Sequence, residues 1–150
     1  LVETLTKSRE RIVVPTPALS ELLVGAGDAA PQYLDILNRS AHFRIEPFGT
    51  KAAVEAAAAI RDAKAKGDKR GKGVEASWAK VKFDRQIVAI AKVTGASIIY
   101  SDDEDVAKLA QPVGIEVIAL NALPEPPTPP QIEMDLAPKE TLSNSDTEES

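Results

Sequence analysis

The chain has 150 residues, of which 43% are hydrophobic, and this is enough for one domain with a single core. It contains no cysteine, which excludes disulfide bonds, thiol nucleophiles and thiolate metal sites and fits a reducing compartment. The net charge is −5, and neither a membrane-length apolar run nor a signal-peptide pattern is present, so we expect a soluble cytoplasmic protein without a membrane partner.

The first half of the sequence alternates short strands with helices. Its opening, LVETLTKSRER, is typical of the end of a helix, and the loop GDKRGKG that closes this half has no hydrophobic period. Proline in a first helical turn and glycine at a helix end mark the boundaries of the predicted helices. The predicted elements are a strand at Ile12–Val14, a helix from Thr16, a helix at Pro31–Asn38, a strand at Phe43–Ile45 and an alanine-rich helix at Thr50–Lys66.

The second half continues the alternation at shorter spacing. Asp84–Thr94 is apolar almost all round, which predicts a buried helix that begins at Asp84 and ends at Gly95. A strand at Ser97–Tyr100, a short helix from Asp103 and a last strand at Ile115–Ile118 follow. Helices and strands in this order predict an α/β fold of three layers, α/β/α, around a mainly parallel sheet.

Charge and proline divide the chain unevenly. Residues 121–150 carry seven acidic residues and one basic residue, and six prolines begin at Pro124. We therefore expect a folded domain at residues 1–123 and a Pro-rich, acidic, disordered tail at 124–150. Residues 61–85 instead carry nine basic residues against four acidic ones. Such a stretch can follow a phosphate backbone, although a solvated helix end and loop is the commoner explanation of a charge run.

Four acidic side chains lie at predicted strand–helix junctions: Glu21, Asp84, Asp103 and Asp105. Because such junctions gather at one edge of a parallel sheet, these distant acids are expected to converge. Each acid also has a simpler explanation. Glu21 alone could be a solvated helix residue, and Asp84 at a helix start could be a cap. Four adjacent acids at 102–105 exceed what one cap needs, which favours cation binding.

Other chemistries lack their residues. The single histidine, His42, has no second His or Cys to form a zinc site and cannot provide two-histidine acid–base cleavage of RNA. GDKRGKG lacks the P-loop spacing, and no Gly-rich dinucleotide motif follows a strand. A receiver-like phosphoacceptor domain is a weaker alternative, because its acid pair belongs after the first strand, and here the pair follows the penultimate one.

ALSELL, DRQIVAIAKVTGASIIYSDDED and GIEVI resemble segments of the PIN-domain nucleases, which are common as toxins of bacterial toxin–antitoxin pairs. The resemblance covers about residues 1–120 and implies a five-stranded, mainly parallel sheet between helices. It also implies Mg²⁺- or Mn²⁺-dependent cleavage of single-stranded RNA. Glu21, Asp84 and Asp103 would be the metal ligands, with Asp105 and Ser101 in support. Ser101, Asp103 and Asp105 fit the Ser/Thr-x-Asp-x-Asp pattern, which makes Asp103, not Asp102, the ligand.

The resemblance carries further expectations about partners and completeness. Lys80, Lys82 and Arg85 are the candidates for RNA backbone contacts, and an antitoxin protein and a homodimer are implied if the chain is a toxin. Family members begin with a strand that ends in Asp-x-Asn and lies in the middle of the sheet, and nothing before Ile12 matches it. We therefore expect a preceding piece that carries this strand. Without it, the alternative is a catalytically inactive PIN-like module that binds RNA or protein.

Overall fold

The structure, a computed structural model, describes residues 11–67 and 77–124. Three predicted segments therefore lie outside the described residues, except for one residue at the edge of each: the helix end at 1–11, the loop at 67–73 and the tail at 124–150. None of the helices in the described part is both long and apolar enough to cross a membrane. In chain order the elements are β1 (Ile12–Pro15), α1 (Thr16–Ala26), α2 (Ala30–Arg39), β2 (Phe43–Glu46), α3 (Thr50–Ala65), α4 (Trp78–Thr94), β3 (Ile98–Tyr100), α5 (Glu104–Ala110) and β4 (Glu116–Ile118).

The strands pair in parallel, which confirms the predicted α/β class. β1 pairs with β2, beginning with Ile12 opposite Phe43, and β3 pairs with β4, beginning with Ile98 opposite Glu116. The described strands form two separate two-stranded sheets and not one continuous sheet. No strand within residues 11–67 and 77–124 bridges the two pairs, and a strand of the preceding segment stays a prediction.

Helix α4 begins earlier than the hydrophobic pattern indicated. Ser77 is its N-cap, and the Ser77 hydroxyl accepts a hydrogen bond from the Lys80 amide at 3.3 Å. Val81, which is 0% exposed, extends the apolar face toward this end. The prediction that the helix starts at Asp84 is therefore wrong by six residues, whereas Gly95 ends the helix as predicted, in the left-handed conformation with φ 73°.

Two hydrophobic clusters pack on different parts of α4 and hold it in place. One contains Val81 and Val88 of α4 with Val106 and Leu109 of α5. The other joins Ile90 of α4 to the small residues of the alanine-rich α3, and its members are Ala52, Ala56, Ala89 and Ile90. Because both clusters include residues of α4, this helix packs against both α3 and α5, which places its backbone relative to them.

Candidate active site

Three of the predicted acids converge on one lysine. The Nζ atom of Lys80 lies 2.6 Å from Oδ2 of Asp103 and 3.1 Å from Oδ2 of Asp84. Oδ2 of Asp105 is 3.6 Å from the same nitrogen. Asp84 comes from the second turn of α4, and the other two acids come from the start of α5, immediately after β3. Aspartates about 20 residues apart in sequence therefore surround a single point, which the Lys80 ammonium occupies.

Asp84 is the buried member of this group. It is 6% exposed and lies well inside α4, so the explanation of Asp84 as a helix cap is wrong, and so is its placement at a strand–helix junction. Burial raises the pKa of Asp84, and the nearby charges of Asp103 and Asp105 add to this effect, whereas the Lys80 ammonium opposes it. A buried carboxylate close to two other acids is unfavourable unless a cation pairs with it.

Asp102 and Asp103, in the turn after β3, have different hydrogen-bond partners. Asp103 caps α5, since its Oδ1 accepts from the Asp105 amide at 2.9 Å while its Oδ2 faces Lys80. The Ser101 hydroxyl accepts from the Asp103 amide at 3.1 Å and steadies this turn. Asp102 points elsewhere, because its Oδ1 accepts from the Leu120 amide at 2.7 Å. Asp103, and not Asp102, therefore contributes to the acid group.

The charge of Asp103 is stabilised by its surroundings. Burial acts to raise its pKa, but the hydrogen bonds from Lys80 and from the backbone amides of Asp105 and Val106 outweigh burial, and the pKa is lowered. A carboxyl whose pKa is lower in the folded state contributes stability that is present above its unfolded value of 3.8. That contribution is lost as the pH falls through the lowered value.

We predict that Asp103→Asn lowers the free energy of unfolding at pH 7 by about 0.5–1 kcal/mol, because a partly exposed ion pair is worth no more. Asparagine is as good an N-cap as aspartate, so the change removes the charge and keeps the cap. The difference from the wild-type chain should vanish below the lowered pKa of Asp103. Urea unfolding at pH 7 and near pH 2 measures both, and an equal difference at the two pH values would contradict the assignment.

The three predicted RNA contacts lie in different environments. Lys80 is at the centre of the acids, and its pKa is raised, chiefly by the hydrogen bond to Asp103. Lys82 is exposed, and its Nζ lies 5.6 Å from the centre of the Trp78 ring. Arg85 is only 8% exposed and lines a small cavity between α3 and α4, so its placement does not favour a phosphate contact. The spacing of Lys80 and Asp84, four residues apart on one helix, is the signal that could have revealed their ion pair.

Glu21 lies on a different helix from the three aspartates. It is an exposed residue of α1, a helix that packs against α4. Its predicted role as a ligand stays a prediction that depends on the family resemblance alone.

The donor chemistry of the three aspartates fits a hard divalent ion, since Mg²⁺ and Mn²⁺ prefer carboxylate oxygens. The Lys80 ammonium lies at their centre. In the present arrangement, no group of three or more His, Cys, Asp or Glu side chains in the described part of the chain is placed to hold a metal ion. The 2.6–3.6 Å separations from Nζ suit an ammonium ion, whereas Mg²⁺ requires about 2.0–2.1 Å to each oxygen.

Comparison with models of protein families gives a match to most of the chain. A family model described as PIN domain matches residues 1–112, a range that contains Lys80 and the three aspartates around it. A search of curated proteins gives no match. The family match covers about three quarters of the chain and ends in the turn that follows α5.

Proposed function

The chain belongs to the PIN domain family, and from this membership we propose that it is a Mg²⁺- or Mn²⁺-dependent endoribonuclease that hydrolyses phosphodiester bonds of single-stranded RNA. PIN domains are generally nucleases, and many depend on divalent ions. The observation that carries the proposal is that Asp84, Asp103 and Asp105 all lie around one cation, the Lys80 ammonium. These three residues would hold the ion, with Glu21 as a further ligand implied by the family.

The three aspartates differ in how they are held and in how exposed they are. Asp84 supplies a carboxylate fixed by the buried α4, and Asp103 is oriented by its cap and by Ser101. Asp103 and Asp105 are partly exposed, with 36% and 19% of their side chains accessible, so these two acids form the open side of the group. When bound, a divalent ion makes water a stronger nucleophile at neutral pH and neutralises charge on the phosphate.

The RNA backbone requires positive charge near the acids. Lys82 is exposed and lies two residues before Asp84 on α4, the helix that also carries Lys80. A lysine there can pair with a phosphate without specifying a base. The burial of Arg85 leaves Lys82 as the better supported of these two contacts.

A catalytically inactive PIN-like module that binds RNA or protein is the second candidate. It is favoured by the occupation of the centre by Lys80 and by the lack of a preformed metal site in the described residues. In that case Lys80 would be a permanent substitute for the ion. An absence of Mn²⁺ affinity in the complete chain would select this candidate.

A toxin role, with an antitoxin and a homodimer as partners, is a finer proposal that depends on family resemblance. Helices α1 and α2 expose apolar side chains that such a partner could cover, including Leu22, Tyr33 and Ile36. The alanine-rich α3 uses Ala52 and Ala56 for the core, which leaves less of this helix for an interface.

Removal of the metal is expected to abolish cleavage. The full chain, incubated with a fluorescently labelled single-stranded RNA and Mn²⁺, should cut it, and an excess of EDTA should stop the reaction because the carboxylates alone cannot activate water. Readdition of Mn²⁺ should restore cleavage. Cleavage that continues in EDTA, or no cleavage of any single-stranded RNA with Mn²⁺ or Mg²⁺, would contradict the proposal.

A further inference from the structure

The Lys80 ammonium joins acids from two parts of the fold. Asp84 lies four residues away on the same helix, whereas Asp103 and Asp105 belong to the start of α5. We infer that Lys80 is a built-in cation that occupies the metal position in the ion-free protein, so that a divalent ion binds only by displacing it. This inference rests on the proposed metal-dependent function.

The acids require a cation whether or not a metal is present. Three carboxylates repel one another at close range, and Asp84 is buried among them. An unpaired charge in this position would be strongly unfavourable, and one ammonium that contacts all three carboxylates relieves it. Lys80 therefore stabilises the ion-free fold at the place where an ion would otherwise be needed.

A metal and the ammonium compete because they use the same atoms. All three contacts of Lys80 are to Oδ2 atoms, and its two shortest contacts are hydrogen bonds to Asp84 and Asp103. An ion that binds these oxygens removes the acceptors of the ammonium and repels it. Lys80 can withdraw, since 43% of its side chain is exposed and lysine has a flexible four-carbon stem with a strongly hydrated head.

Lys108 provides a matched control on the same group. Its Nζ lies 3.6 Å from Oδ1 of Asp105, the oxygen that does not face Lys80. Removal of Lys108 therefore takes away one positive charge close to the acids and leaves Lys80 at their centre. A general electrostatic effect would appear in both lysine variants, whereas competition for the centre would appear mainly in the Lys80 variant.

Mn²⁺ titration of the full chain, followed by electron paramagnetic resonance of the free ion, tests the inference. Lys80→Met keeps the apolar stem and removes the ammonium. It should tighten Mn²⁺ binding by at least about tenfold, whereas Lys108→Met should change the affinity by about threefold or less, as expected of an exposed charge in water. If Lys80→Met fails to fold, Lys80→Gln, which keeps a hydrogen-bond donor without the charge, replaces it.

Thermal unfolding gives a second readout that does not depend on activity. Without divalent ions, Lys80→Met should unfold at a lower temperature than the wild-type chain, and Mn²⁺ should raise its unfolding temperature more than that of the wild type. Equal Mn²⁺ affinity in the wild-type and Lys80→Met chains would overturn the inference and leave the proposed function standing. Binding by Lys80→Met alone would support the inference and contradict metal-dependent cleavage by the wild type. Binding by neither would overturn both.

Discussion

Replacement of Asp84 by asparagine is expected to lower Mn²⁺-dependent RNA cleavage by at least about a hundredfold, the scale on which loss of one preorganised electrostatic group affects catalysis. Asp84 is the acid whose position is fixed most firmly, because α4 packs on both hydrophobic clusters and holds the carboxylate in the interior. Asparagine keeps the size of the side chain and removes the charge that a divalent ion needs. Cleavage of labelled single-stranded RNA under single-turnover conditions measures the effect.

The same substitution should leave the fold intact. Burial raises the pKa of Asp84, so the ionised carboxyl is less favourable in the folded chain than in the unfolded one. At neutral pH a neutral isostere removes this penalty, and the free energy of unfolding of Asp84→Asn should equal or exceed that of the wild type. The difference should shrink as the pH falls through the raised pKa, since the wild-type carboxyl then becomes protonated.

Asp102→Asn is the matched control for this loss of activity. Asp102 lies beside Asp103 but accepts a hydrogen bond from the Leu120 amide, which an asparagine oxygen can also accept. This variant should cleave RNA at nearly the wild-type rate. A folded Asp84→Asn chain that cuts as fast as the wild type, or an equal loss in both variants, would show that Asp84 has no special role.

Ile90→Ala is expected to lower the free energy of unfolding by about 2–4 kcal/mol, within the range for truncation of a large buried aliphatic side chain. Ile90 is 0% exposed, and the residues packed around it include the small Ala52 and Ala56, which have few atoms with which to fill a cavity. The loss should therefore be near the upper part of this range. Urea unfolding of the full chain, followed by circular dichroism, measures it.

Val93→Ala on the same helix is the comparison for this core substitution. Val93 is 37% exposed, so its truncation removes less buried surface and should cost about 1 kcal/mol or less. Both changes replace a branched aliphatic side chain by alanine, so the difference between them reports packing and not helix propensity. Equal losses in the two variants would contradict the location of the core at the α3–α4 contact.

The fold class was accessible from sequence because it depends on the order of elements, whereas the acids were predicted to meet at strand–helix junctions and Asp84 instead reaches them from inside α4. Alternating strands and helices predicted parallel pairing, and the acids after β3 were expected to meet Asp84. The start of α4 was missed because Lys80 and Lys82 interrupt the apolar pattern, while the cap that begins the helix is one serine, Ser77. The spacing of apolar residues does not reveal a single capping hydrogen bond of this kind.

Tertiary contacts account for the remaining differences. Lys80 and Arg85 both look like exposed bases in a charged stretch, yet one is bound by three acids and the other is buried beside α3. Apart from Asp84, the acids around Lys80 come from the start of α5, and the α3 residues beside Arg85 are also far away in sequence, so no local pattern records these contacts. The position of Glu21 relative to the acids depends in the same way on how α1 packs, and its role was inferred from resemblance.

Mn²⁺ binding by the wild-type chain and by Asp84→Asn is the most direct test of a shared metal site. The wild-type chain should bind Mn²⁺ saturably, and Asp84→Asn should bind it at least about tenfold more weakly, since one of three charged oxygen ligands is lost. Identical Mn²⁺ affinity in the two chains, with both folded, would contradict the claim that these aspartates hold one divalent ion.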